Sequence, residues 1–385
     1  MRNSPRFLAV TAAFVLALNG SATAEIPFHF GFYQAGRFDG ITDVPGVTVA
    51  HLTKIQGSSI RTGATAILPD ADPWDRKVSA AALAFNGNGE MTGTHWIDES
   101  GYLEEPIVLT DTLDVGRADD GVVSWTIARH PQVGRTDDVP LPVVAECDDQ
   151  LLNDIQGRYV SPDDVVSLLD SAKAGQFARG SVGAGTGMKA FGFKAGIGSA
   201  SRVLPKSLGG YTVGVLVNDN TGSTRRQLTI DGVHVGERLR NEYKMVFPKH
   251  ISLHGRMASG SIVIIVATNA PLDSRQLRAV TLRAGLGMAR TGLTSDVGSG
   301  DLFLAFSTSR IFARTGNFEI QPPSVVATEN ADVLNALYSA TAEATEGAIY
   351  DALFNAKTMT GNHGVTVYGL PVTRVLSMLH AAGVK

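Results

Sequence analysis

From residue 40 onward the chain reads as short apolar runs separated by glycine turns, interrupted by a few longer stretches of helical period. Residues 41–49 carry a Pro45-Gly46 turn followed by an alternating strand, and residues 62–69 form another strand. Residues 80–85 are continuously apolar, the pattern of a strand covered on both faces. Residues 211–217, 261–268 and 302–307 are further strands, the first two rich in β-branched side chains. Ser161-Pro162-Asp163-Asp164 predicts a helix start, with serine as N-cap, proline at the first position and acids at the positive end of the dipole. That helix is expected to run to about Ala174 and stop at Gly175. Two more are predicted over 273–290 and 332–357. The last carries Leu334, Leu337, Tyr338 and Ala342 on one face, continued by Ile349 and Leu353. Neither a long internal repeat nor a linker of flexible composition interrupts this alternation. It predicts helices packed outside stacked sheets, a single layered α/β domain.

Composition narrows the partners. The 385 residues have a formal net charge of -4 and 18% charged side chains, so no concentrated basic face points to a nucleic acid or an anionic membrane. The first residues read as a signal peptide over 1–24. Arg2 and Arg6 precede an apolar stretch at 7–18, and Ala22-Thr23-Ala24 is a small-residue cleavage site. The mature chain would begin at Glu25, with a periplasmic or secreted location. No later stretch reaches the roughly 18 apolar residues of a transmembrane helix. Cys147 is the single cysteine, so an internal disulfide is excluded, and it reads as a small buried hydrophobe.

The candidate chemistry centres on Ala258-Ser259-Gly260-Ser261, which runs straight into the apolar strand at 262–267. Taken alone, the segment reads first as a glycine turn leading into a core strand. Its second reading is self-cleavage. The glycine permits a strained backbone, and the Ser261 hydroxyl attacks the carbonyl before it in an N→O acyl shift. Hydrolysis then leaves a serine whose own α-amine, with a pKa of about 7.7–8.0, is a ready base. Rival schemes are weaker. No Gly-x-Ser-x-Gly elbow, Ser-x-x-Lys pair or His-Glu-x-x-His metal motif occurs. His250 and His254, four residues apart, offer only a weak metal or base pair. Gly183-Ala184-Gly185-Thr186-Gly187 has the wrong spacing for a dinucleotide loop and reads as close-approach structure. Asn220, just after a strand, can aim an amide into a pocket as an oxyanion donor, although a plain turn is the simpler reading. Ser299 and Asp301, two apart, face the same way in an extended chain, and here too a turn is the simpler reading.

Together these blocks resemble the self-processing serine aminopeptidases, the group containing β-peptidyl aminopeptidases and L-aminopeptidase/D-amino acid esterase-amidases. The resemblance spans nearly the whole mature chain. It runs through residues 41–47, 86–93, 106–112, 152–155, 182–188 and 196–202 to Gly260-Ser261 and its strand. It implies a four-layer αββα sandwich of the N-terminal-nucleophile-hydrolase type, cut into fragments 25–260 and 261–385 that stay associated. It implies Ser261 as nucleophile, Asn220 at the oxyanion, Ser299 and Asp301 around the terminal amine, and Glu146 on the substrate's ammonium group. It further implies small peptide, amide or ester substrates with a free amino terminus, a homotetramer, and no metal or organic cofactor. One departure stands out. Cys147-Asp148-Asp149-Gln150 replaces the family's usual run, and Asp148 takes the place of an aromatic wall. The β-peptidyl branch is the main expectation, with the L-aminopeptidase/D-esterase branch beside it. The ornithine acetyltransferases also resemble this fold but use threonine at the cut, which Ser261 argues against. An unprocessed binding protein on the same fold is the third alternative.

Overall fold

The apolar runs pair as two sheets, and the computed structural model describes residues 26–248, 260–314 and 330–385. The expected signal peptide at 1–24, and His250, His254, Ala258 and Ser259, lie outside the described residues. One sheet holds β1 (Thr48–Gln56), β2 (Ile60–Leu68), β5 (Ile107–Thr110) and β6 (Val143–Glu146), in the order β1-β2-β5-β6. The other runs β4 (Tyr102–Leu103), β3 (Arg76–Gly87), β12 (Gly300–Ala313), β11 (Ser261–Thr268), β10 (Thr212–Asn220) and β9 (Ile197–Val203). Two ribbons, β7 (Lys189–Ala190) with β8 (Phe193–Lys194) and β13 (Met359–Thr360) with β14 (Thr366–Val367), flank them.

Side-chain alternation builds the layers. In β11 the residues Val263, Ile265 and Ala267 pack between the sheets, against Ile107, Leu109 and Ala145 of the opposite sheet. Ile262, Ile264 and Val266 point the other way. They meet α5 (Ser274–Arg290), α6 (Ala331–Asn355) and α7 (Val372–Ala381). Behind the four-stranded sheet, α2 (Val115–Arg129) and α3 (Pro162–Asp170) cover Ala64, Ala66 and Val144 with Val122, Trp125, Val165 and Leu169. The short helices α1 (Thr94–Ser100) and α4 (Val235–Arg238) lie in connections. The expected αββα order is present. β11 is buried along its whole length, which explains its continuous apolar run. α6 lies directly on β9: a Cβ at Gly198 would sit 1.9 Å from the Ala348 carbonyl oxygen. No helix among the described residues is long and apolar enough to cross a membrane.

Several boundaries differ from the sequence reading. β10 runs on through Asn220, which the sequence placed in a turn after the strand, because residues 218–220 stay paired to the head of β11, and β12 extends to Ala313. α3 has the expected Ser161 cap, accepting from the Asp164 N–H, but ends at Asp170. Lys173 instead exchanges main-chain hydrogen bonds with Val49 (3.0 and 3.1 Å), so the edge of β1 captures the chain before Gly175. Residues Ile41–Asp43 form a 3-10 turn, and the strand begins only at Thr48. The glycines at 183–187 pack as structure. Gly183 and Ala184 spend their N–H groups on Thr53 and Thr65 (2.8 and 3.1 Å), leaving these donors no phosphate to hold.

Candidate active site

Strand register brings the site together. Ser261, the first residue of β11, sits opposite Asn220 at the end of β10 and beside Gly300 at the start of β12. Gly260 immediately before it has φ +96°, and a Cβ there would approach the Asn220 carbonyl oxygen to 2.5 Å. Position 260 therefore requires glycine on two counts, a left-handed backbone and a close main-chain neighbour. Ser261 shares the facing of Val263, so its hydroxyl lies on the inter-sheet side. It opens into a cleft of about 370 Å³ with Glu146 from the opposite sheet.

Asn220 is held in one orientation. Its Oδ1 accepts from the Lys189 N–H (3.1 Å), which turns its Nδ2 toward the Asp148 carbonyl oxygen (2.9 Å) and the Ser261 hydroxyl (3.5 Å). The amide is thus fixed by main-chain groups on both ends before any substrate arrives. Such preorganised donors stabilise a developing oxyanion without having to reorient.

The opposite wall is acidic. Glu146 ends β6 and is 5% exposed. One oxygen accepts from the Glu90 N–H (3.1 Å) and the other from the Thr112 hydroxyl. Burial pushes its carboxyl above the ordinary range, against the pull of those two hydrogen bonds, and the nearby Asp148 and Glu90 push the same way. Asp148, half-buried, lines the same cleft, and its carboxylate accepts from the Gln150 main chain and side chain. Among the described residues, no basic side chain lines the cleft.

Ser299 and Asp301 are brought together, but not in that cleft. The Ser299 hydroxyl donates to Asp301 Oδ1 (2.6 Å), and the Ser295 hydroxyl donates to its other oxygen. Asp301 shares the facing of Phe303 and Ala305, on the helix side of the sheet. The pair lines a separate space of about 10 Å³ against Met288 and Leu293. Burial raises the Asp301 carboxyl, opposed by its two serines. Next in the same row, burial pushes Asp219 up to about 7, against hydrogen bonds from Thr221 and the attraction of Lys189. Among the described residues, no hydrogen bond joins Ser299 or Asp301 to Ser261. The two groups flank the head of β11 from opposite faces.

Several contributors carried no chemical signal in the sequence. Thr112 and the Glu90 main chain orient Glu146, Ser295 supports Asp301, and the Lys189 main chain orients Asn220. Cys147 is buried as expected. Its thiol also meets the Ser261 hydroxyl and donates to the Asn218 carbonyl at 3.5 Å. Among the described residues, one cluster brings three ligand-type atoms close, Asp72, Asp75 and His130. It lies apart from the cleft, and its imidazole nitrogens face different carboxylates (Nε2 to Asp72 3.1 Å, Nδ1 to Asp75 3.9 Å).

Two sheets faced by helices, with a serine at the head of a buried strand, define a hydrolase of the N-terminal-nucleophile fold. The comparisons agree. The chain is 36% identical to the solved L-aminopeptidase D-Ala-esterase/amidase of Ochrobactrum anthropi, described as a prototype for the serine aminopeptidases and a variant of that fold. The match has a TM-score of 0.82 and covers 92% of this chain and 97% of that one. A Burkholderia sp. beta-aminopeptidase structure matches at 39% identity and TM-score 0.81, over 93% of this chain and 98% of the other. The beta-peptidyl aminopeptidase of Sphingosinicella xenopeptidilytica is 37% identical over 364 residues, 90% of this chain and 88% of that protein. Residues 39–367 match peptidase family S58, and the chain belongs to that family. It is a serine aminopeptidase.

Proposed function

We propose that the chain is made as a precursor that cuts its own Gly260–Ser261 bond, and that the freed Ser261 then removes amino-terminal residues, β-amino acids preferred, from small peptides, amides and esters. The observation that carries this reading is the Ser261 hydroxyl at the head of β11, facing the fixed Asn220 amide across an acid-walled cleft. In the first reaction Ser261 Oγ bonds to the Gly260 carbonyl carbon and the amide C–N bond breaks, its nitrogen taking the hydroxyl proton. Water then splits the resulting ester into a Gly260 carboxylate and a free Ser261 amine. In the second reaction that amine accepts the hydroxyl proton as Oγ attacks the substrate carbonyl. The leaving amine departs with the proton, and water hydrolyses the acyl-enzyme on Ser261. Asn220 Nδ2 bonds the oxyanion in both. Ser299 and Asp301 hold the terminal amine from the helix side, where burial raises the Asp301 carboxyl above its ordinary range against its two serine hydrogen bonds. Glu146 pairs with the substrate's ammonium group through a charge-assisted hydrogen bond.

The preference for β-amino acids is supported by the two named beta-aminopeptidase relatives. The esterase/amidase relative supports the second branch at nearly equal identity. A panel of β-, L- and D-aminoacyl amides with one leaving group separates them, since only β-preference gives the β-alanyl amide the highest kcat/KM. The same reading has fragments 25–260 and 261–385 remaining associated, the enzyme assembling as a homotetramer, and export by residues 1–24 to the periplasm.

Two expected results follow directly. Gly260→Ala must place a Cβ 2.5 Å from the Asn220 carbonyl at φ +96°, a strain on the order of 1–3 kcal/mol. Processing should slow at least about tenfold, seen as precursor persisting on a denaturing gel. Glu146 must be ionised to bind an ammonium group, and its pKa is raised, so kcat/KM should fall as pH drops through that raised value. The α-amine of Ser261 adds a second protonation on the same side. Glu146→Gln should therefore lower kcat/KM by about 10- to 100-fold and reduce the acid limb from slope two toward slope one. A pH profile identical in shape to that of the wild type would remove Glu146 from the role.

A further inference from the structure

A second pocket of about 350 Å³ lies beside the cleft, and its lining among the described residues contains four basic side chains and no acidic one. The four are Lys189, Arg225, Arg240 and Lys244. Two of them are already committed. Arg225 donates to the carbonyls of Gly192, Glu242 and Tyr243, and Arg240 pairs with Glu237. The other two are free. Lys189 is only 8% exposed, yet among the described residues no hydrogen bond or ion pair engages its ammonium group. Lys244 is exposed and likewise without a partner among the described residues. A buried, unpaired ammonium is costly unless an anion meets it. Asp219 and Asp148 attract Lys189 through space, and among the described residues no ion pair joins either of them to it.

The pocket adjoins the reacting centre. Lys189 donates its N–H to Asn220, and Gly222, two residues past Asn220, lines the pocket. Two residues of chain span at most about 7 Å. The carbonyl of Thr221, between them, accepts from the Phe191 N–H (2.8 Å), which fixes the ribbon carrying Lys189 against the end of β10. The acids sit in the Ser261 cleft and the basic side chains in the pocket next to it, so the two spaces that meet at Asn220 carry opposite charge.

We infer that the pocket centred on Lys189 and Lys244 is a subsite for the free carboxylate of the leaving portion, so that the enzyme favours short peptides with both termini unblocked. This rests on the aminopeptidase reading of the Ser261 cleft. The test compares kcat/KM for a β-alanyl dipeptide and for the same dipeptide with a C-terminal amide, using processed enzyme. The wild type should prefer the free acid by about tenfold or more, the scale of a charge-assisted hydrogen bond. Lys189→Met, which keeps volume and removes charge, should collapse that ratio toward one, chiefly through KM for the acid. Lys244→Glu, at an exposed position that tolerates substitution, should lower the same ratio severalfold even if the buried variant folds poorly. Equal kcat/KM for acid and amide in the wild type, or an unchanged ratio in both variants, would overturn the subsite alone. Turnover of neither dipeptide would overturn the parent reading and the subsite with it.

Discussion

Ser261→Ala is expected to leave the chain in one piece and without activity. In the proposed reading the hydroxyl serves twice, first on its own Gly260 carbonyl and then on substrate, while the other hydroxyl among the described lining residues, that of Thr112, is spent on Glu146. Removing it also removes the free α-amine, because an uncut chain has an amide at that position. Loss of nucleophile and base together should cost at least about 10⁴-fold in kcat/KM. The fold should survive, since Ala at the head of β11 keeps the main-chain register with Asn220 and Gly300. A melting temperature near that of the unprocessed wild type, measured alongside activity, separates a chemical loss from a collapse. Residual turnover within tenfold of the wild type would move the nucleophile elsewhere.

Asn220→Ala is expected to lower kcat by about 10²- to 10³-fold, the usual effect of deleting one oxyanion donor, with a smaller change in KM. Processing should slow by a similar factor, because both reactions pass through an oxyanion at the same place. The structure adds a second consequence. Asn220 Oδ1 is the acceptor for the Lys189 N–H, and its Nδ2 bonds the Asp148 carbonyl. Truncation leaves a buried donor without its partner, which costs about 1–3 kcal/mol of stability. A kcat within threefold of the wild type would hand the oxyanion to main-chain groups near Ser261.

How much of this was legible beforehand varies by physical cause. The layers were readable because burial imposes period two on strands and 3.6 on helices. β11, buried on both faces, showed as an unbroken apolar run, and α3 announced its start through Ser161. Where α3 ends was not readable, because a tertiary bond from Lys173 to Val49 decides it. Ser261 and Asn220 stood out as polar groups at the ends of apolar strands, and register then placed them opposite each other. Ser299 and Asp301 meet through a side-chain hydrogen bond, as residues two apart in an extended chain can. Which face of the sheet they occupy depends on where β12 lies relative to β11, and that information is not local. Glu146 had no signal of its own apart from family resemblance, since an acid ending a short strand is ordinary. Its partners Thr112 and Glu90 come from distant segments and meet only in the fold. Lys189 was silent for the same reason. Its burial and lack of a partner appear only once β7 packs against the end of β10.

The cleavage at Ser261 is the claim on which the rest depends. Intact mass and amino-terminal sequencing of the purified active protein test it most directly. The account predicts two associated fragments, the smaller spanning Ser261 to Lys385 with serine as its first residue. A fully active preparation consisting of one uncut chain, or a fragment beginning at any other residue, would contradict it.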